Sequence, residues 1–120
     1  MLFNKDLIAG IKECFIEMSD VPRQKKLWLG GSKTKISSFT ELISKLYDDF
    51  DFKGFIKYLN QSDFDTNLIK ALCEIDTKLS KFLESGRGDK EDAKIIVDPV
   101  WQEVVENAKR ILDSLKNSGL

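Results

Sequence analysis

Ser37-Ser38-Phe39-Thr40-Glu41-Leu42-Ile43-Ser44-Lys45-Leu46-Tyr47-Asp48-Asp49-Phe50-Asp51 carries the clearest folding signal in the chain. Ser38-Phe39-Thr40-Glu41 has the spacing of a capping box: the Ser hydroxyl accepts the N–H of the Glu while the Glu side chain reaches back. Phe39, Leu42, Ile43, Leu46, Tyr47 and Phe50 then recur at helical spacing and predict an amphipathic helix from 38 to about 50. That helix ends in Asp48, Asp49 and Asp51. A helix C-terminus carries partial negative charge, so carboxylates there oppose the dipole. Asp51 has a structural role open to it, as N-cap of a next short helix with Phe52, Phe55, Ile56 and Leu59 inward. Asp48 and Asp49 have none, and a local rule broken without compensation is where function is sought first.

Upstream, Leu7, Ile8, Ile11, Cys14, Phe15 and Met18 predict a helix over 4–19 with Asn4 as its N-cap. Gly10 lies inside it, where glycine costs about 1 kcal/mol relative to alanine, and marks a close crossing. Asp20-Val21-Pro22 restarts a short helix to about 29, with Pro in the first turn, and Gly30-Gly31 ends it. Between 23 and 35 the charges are Arg23, Lys25, Lys26, Lys33 and Lys35 with no acid, an alternative anion-binding segment. It lacks the interleaved aromatics that stack bases, which argues against nucleic acid.

Downstream, Asn60-Gln61-Ser62-Asp63 reads as a turn, with Ser62 or Asp63 capping a long helix to about Glu84. Its stripe is Phe64, Leu68, Ala71, Leu72, Ile75, Leu79, Phe82 and Leu83, close to heptad spacing; core is the main reading and a dimer seam the alternative. Ile95-Ile96-Val97 is the one β-looking run and is expected as an extended segment packed on the core. Asp98-Pro99 opens a last helix to about Lys116, with Trp101, Val104, Val105, Ala108, Ile111, Leu112 and Leu115 inward. Gly119 and Leu120 are expected to fray. The fold expected is all-α, a compact single domain over residues 1–120 with five or six helices, the 63–84 and 98–116 helices as its pillars.

Composition bounds the function. The 120 residues hold 42% hydrophobic and 32% charged side chains with a net charge of −1, so the chain has a core and no global attraction to nucleic acid or anionic membrane. There is no histidine, which removes the commonest general base and the commonest transition-metal ligand. Cys14 and Cys73 fall at apolar helix positions and are expected as buried reduced thiols. No catalytic residue, cofactor or metal site is expected. Asp48-Asp49-Phe50-Asp51 lacks the glycine turn and final Glu of a calcium loop. No signal peptide or membrane-spanning run is present, and a cytoplasmic setting is expected.

Residues 38–65 hold six acids against three bases, beside the basic 23–35 segment. An acidic, aromatic-bearing face suits a protein that neutralises a nucleic-acid-cleaving toxin, whose active site is built to hold phosphates. Asp48, Asp49 and Asp51 are the candidate contacts, with Tyr47, Phe52 and Tyr58 as candidate anchors or, equally, core. Trp28-Leu29-Gly30-Gly31, the helix from Phe39 to Leu46, and Tyr47-Asp48-Asp49 resemble small bacterial proteins with a Trp-Leu-Gly-type turn, a helix and a hydrophobic-Asp-Asp ending. Such proteins look like the helical immunity proteins that accompany polymorphic and contact-dependent inhibition toxins. The resemblance covers residues 22–51, about a quarter of the chain. It implies a cytosolic, non-enzymatic protein that binds one toxin domain tightly. The expected partner is a cognate basic protein toxin, a nuclease, with no membrane partner and a monomeric state favoured. The alternatives are a nucleic-acid or anionic-ligand binding module using the basic 23–35 segment and a helical adaptor or homodimer.

Overall fold

The computed structural model describes residues 4–30 and 37–120. Among them are seven α-helices and no strand: α1 (Lys5–Met18), α2 (Val21–Trp28), α3 (Phe39–Ser44), α4 (Phe52–Gln61), α5 (Thr66–Glu84), α6 (Asp92–Ile96) and α7 (Pro99–Asn117). The all-α expectation holds, with one helix more than foreseen. The addition is α6, where an extended segment was expected. Ile95 and Ile96 are buried from a short helix whose first residue, Asp92, accepts from the Phe39 N–H at 3.4 Å, while Val97 points outward. Tertiary context overrides the β propensity of three adjacent branched residues.

The hydrophobic core is one cluster to which every helix contributes. Helix α7 lies at its centre and packs chiefly on α5 and α1. It buries Trp101, Val104, Val105, Ala108, Ile111 and Leu115. The α5 stripe is core too: Leu68, Leu72, Ile75, Leu79 and Phe82 are buried, and Leu83 alone of that row is well exposed. Trp28, Phe39, Phe82 and Trp101, from four helices, form a ring cluster with centroid separations from 5.3 Å (Phe39–Trp101) to 6.2 Å (Trp28–Phe39). Trp28–Phe39 and Phe39–Trp101 meet edge to face, a geometry that adds to area burial, and the other three pairs are tilted. Leu120, expected to fray, packs on the core, and its carbonyl accepts from Lys12 Nζ at 2.6 Å.

Two polar residues inside this core were not foreseen. Gln24 is fully buried: its amide donates to the Glu17 and Met18 carbonyls at 2.9 and 3.0 Å and accepts from the Trp101 indole N–H at 3.0 Å. Glu17 is also buried, and its Oε2 accepts from the Trp28 indole N–H at 3.0 Å and the Ser37 hydroxyl at 2.9 Å. Both tryptophans are thus fixed through the α1–α2 corner, and the orphan carbonyls at the end of α1 are satisfied.

The helix caps follow the sequence signals with one correction. Asn4, Asp20, Ser38 and Asp98 accept from the N–H groups of Leu7, Arg23, Glu41 and Val100. The cap of α5 is Asp65, which accepts from Asn67, and neither Ser62 nor Asp63. Asp63 instead closes α4: it is left-handed, with φ of 52°, and the next N–H, of Phe64, returns to the Leu59 carbonyl at 3.2 Å. That is the Schellman arrangement, in which glycine is preferred. Asp63→Gly is expected to raise stability by about 0.5–1 kcal/mol, read from the urea midpoint.

Asp98 is buried at the start of α7, with its two oxygens 2.8 and 2.9 Å from Arg87. Burial pushes its carboxyl up, but the Val100 N–H and the Arg87 guanidinium outweigh burial and hold it below the ordinary 3.8. A lowered folded-state pKa stabilises above the ordinary carboxylate value and is lost as pH falls through the folded value. Asp98→Asn keeps a capping oxygen and loses the charge. The variant is expected to be less stable at neutral pH, and its unfolding midpoint to converge on the wild-type one as pH falls below the ordinary carboxylate value of 3.8.

Candidate functional site

The acidic stretch is built on an irregular helix end. After Ser44 the chain widens into a π turn over Lys45–Asp49, closed by a bond from the Phe50 N–H to the Lys45 carbonyl at 2.9 Å. The single helix expected from 38 to 50 is therefore α3 plus this turn. An i→i+5 turn rotates the chain less per residue than an α turn, so residues three apart are splayed more widely. Tyr47 goes one way, against α4 and α5: its ring meets Phe52 edge-on at 5.7 Å and its hydroxyl donates to Asp76 Oδ1 at 2.6 Å. Phe50 goes the other way, onto Gly10 of α1. Asp48 and Asp49 are exposed between these two anchors.

Neither Asp48 nor Asp49 forms an ion pair among the described residues. The one side-chain partner shown is the Ser44 hydroxyl, which donates to Asp48 Oδ2 at 3.2 Å. Asp51 differs. It is half-buried and left-handed at φ 48°, and its Oδ1 accepts from the Gly54 N–H at 3.2 Å. A side chain at Gly54 would place its first carbon 2.2 Å from Asp51 Oδ2, so the cap needs glycine there. Asp51 belongs to the start of α4, the structural role the sequence left open to it.

The candidate aromatic anchors are corrected by burial. Phe52 is fully buried with its ring edge-on to Phe15 at 5.7 Å; it is core and offers no contact surface. Tyr47 is half-buried and committed to Asp76; burial first, and the hydrogen bond to Asp76 second, push its phenol well above its ordinary pKa. Lys53 also reaches Asp76, at 3.2 Å, and lies over the Tyr47 ring. Tyr58 is half-buried and packs against the core. Asp76, which holds the π turn from α5, was not singled out; its signal was a charge inside an otherwise apolar helical row.

Beside the turn lies a cavity of about 460 Å³ between α1, α2 and α3, lined among the described residues by Gly10, Glu13, Cys14, Glu17, Arg23, Lys45 and Phe50, with Leu27, Ser37 and Leu42. Charges of both signs face it. Arg23 is drawn toward Glu13 at 3.9 Å, so the basic segment loses one free cation. Lys25 and Lys26 are exposed in the last turn of α2, where cations suit the dipole. Lys33 and Lys35 lie outside the described residues. Cys14 is buried, and its thiol is pushed up to about 12 by burial first and by Glu17 next. Cys73, expected inside, is exposed on α5, and both thiols are free.

Among the described residues no group of His, Cys, Asp or Glu side chains is arranged to hold a metal ion, and no helix is long and apolar enough to cross a membrane. The site is therefore a surface feature: two outward carboxylates on a wide helical turn, clamped from α1 on one flank and α5 on the other. Comparison of the chain with known protein families, with curated proteins and with solved structures finds no match.

Proposed function

We propose that the protein is an immunity protein: a stoichiometric inhibitor that binds a cognate bacterial toxin, a nuclease, through the acidic turn at Asp48 and Asp49. The observation that carries the reading is the exposure of these two carboxylates, without ion pairs among the described residues, at a helix end that favours cations. A nuclease groove is lined by bases that hold phosphates. Carboxylates fixed on a rigid turn offer the same charge to that groove, speed the encounter and then block substrate entry. Rigidity matters because ordering a flexible segment subtracts from affinity, and Tyr47 and Phe50 hold this turn before any partner arrives. The inhibition needs no turnover and no cofactor, and it takes place in the cytoplasm.

The test is co-expression with a nuclease domain, where a reading frame adjacent to this one encodes such a domain. The expected result is a one-to-one complex that no longer cleaves nucleic acid. Unchanged cleavage in the presence of excess purified protein contradicts the proposal.

A further inference from the structure

We infer that the wide register of the turn over 45–49, and with it the bearing of Asp48 and Asp49, depends on a wedge, the ring of Phe50 seated on Gly10, working against the anchored Tyr47. A first side-chain carbon at Gly10 would stand 2.3–2.5 Å from three atoms of that ring, so only a residue without a Cβ admits it. The local sequence Lys45-Leu46-Tyr47-Asp48-Asp49 contains neither Gly nor Pro and nothing that forbids an ordinary α turn. In an α turn the Phe50 N–H would bond to the Leu46 carbonyl, and Phe50 would come round to the same face as Tyr47, three residues away. Tyr47 is already fastened to Asp76 of α5 at 2.6 Å. With that ring fixed, seating Phe50 on α1 requires the wider splay, and the N–H moves on to Lys45. The turn is a product of two tertiary contacts, and the direction of the acid pair between them reports the contact between α1 and Phe50.

Nuclear magnetic resonance couplings across hydrogen bonds identify the acceptor of the Phe50 (or residue 50) N–H without any partner, so the outcome is independent of the functional proposal. In the wild type this N–H couples to the Lys45 carbonyl carbon. Gly10→Ala expels the wedge, and Phe50→Ala removes it without adding an atom to α1. In both, the coupling to Lys45 is expected to vanish and one to Leu46 to appear. If Gly10→Ala fails to fold, Phe50→Ala decides alone. A coupling to Lys45 that persists in either folded variant overturns the inference.

Discussion

Gln24→Ala is expected to lower the stability of the protein by about 3–5 kcal/mol, much of what a chain of this size has to lose. The side chain is fully buried and serves three groups at once: the Glu17 and Met18 carbonyls and the Trp101 indole N–H. Truncation orphans the Met18 carbonyl and the Trp101 indole N–H, at about 1–3 kcal/mol each, while the Glu17 carbonyl keeps the Asp20 N–H at 3.3 Å and loses one of its bonds. Urea unfolding of the single variants and of Gln24→Ala with Trp101→Phe checks the cause. Phenylalanine at 101 removes the donor that the alanine would orphan, so the double variant should cost less than the sum by at least about 1 kcal/mol. Strict additivity would mean that the indole bond contributes nothing.

Asp48→Lys with Asp49→Lys is expected to slow association with the proposed nuclease partner by about 10- to 100-fold at low salt. Folding should not suffer. Both side chains are exposed, and cations at this end of the helix suit the dipole, so stability should stay level or rise by up to about 1 kcal/mol. Asp51→Lys supplies the contrast. It removes the cap on Gly54 and places a residue poorly suited to the left-handed region at φ 48°, so it should destabilise by about 1–2 kcal/mol. A double variant that unfolds as readily as Asp51→Lys would show that Asp48 and Asp49 serve the fold.

The helices were legible because their signals are local. Asn4, Asp20, Ser38 and Asp98 each stand at a cap that their own side chain satisfies. The apolar rows of α1, α5 and α7 turned inward as their spacing requires. What was missed depends on distant partners. Ile95-Ile96 folded as helix in a segment that buries both side chains in the core and ties Asp92 to the start of α3. The π turn departs from a regular helical pattern because Phe50 finds Gly10 and Tyr47 finds Asp76, contacts 40 and 29 positions apart along the chain. The glycine at 10 was legible as a close crossing, though not as a seat for an aromatic ring. Gln24 was within reach of the sequence: it lies three and four residues before Leu27 and Trp28, on the face they share, where a polar residue implies a buried partner.

The acid cluster was legible as an anomaly, and Asp51, named beside Asp48 and Asp49 as a candidate contact, takes the capping role its spacing allowed. Asp51 could cap a helix and does; Asp48 and Asp49 could not and face outward. The aromatics beside them were not separable into anchors and core from spacing alone, because a π turn shifts which residues share a face. Phe52 went wholly inside and Tyr47 half inside.

The salt dependence of the association rate is the most direct test of the proposed role of Asp48 and Asp49. Stopped-flow binding of the proposed nuclease partner is measured for the wild type and for Asp48→Lys with Asp49→Lys across ionic strengths. Steering by an exposed acid pair predicts a wild-type rate that falls steeply as the Debye length shrinks from about 30 Å at 0.01 M toward about 8 Å at 0.15 M, and a variant that is slower and nearly flat, the two converging at high salt. Identical rates with identical salt slopes would contradict the account.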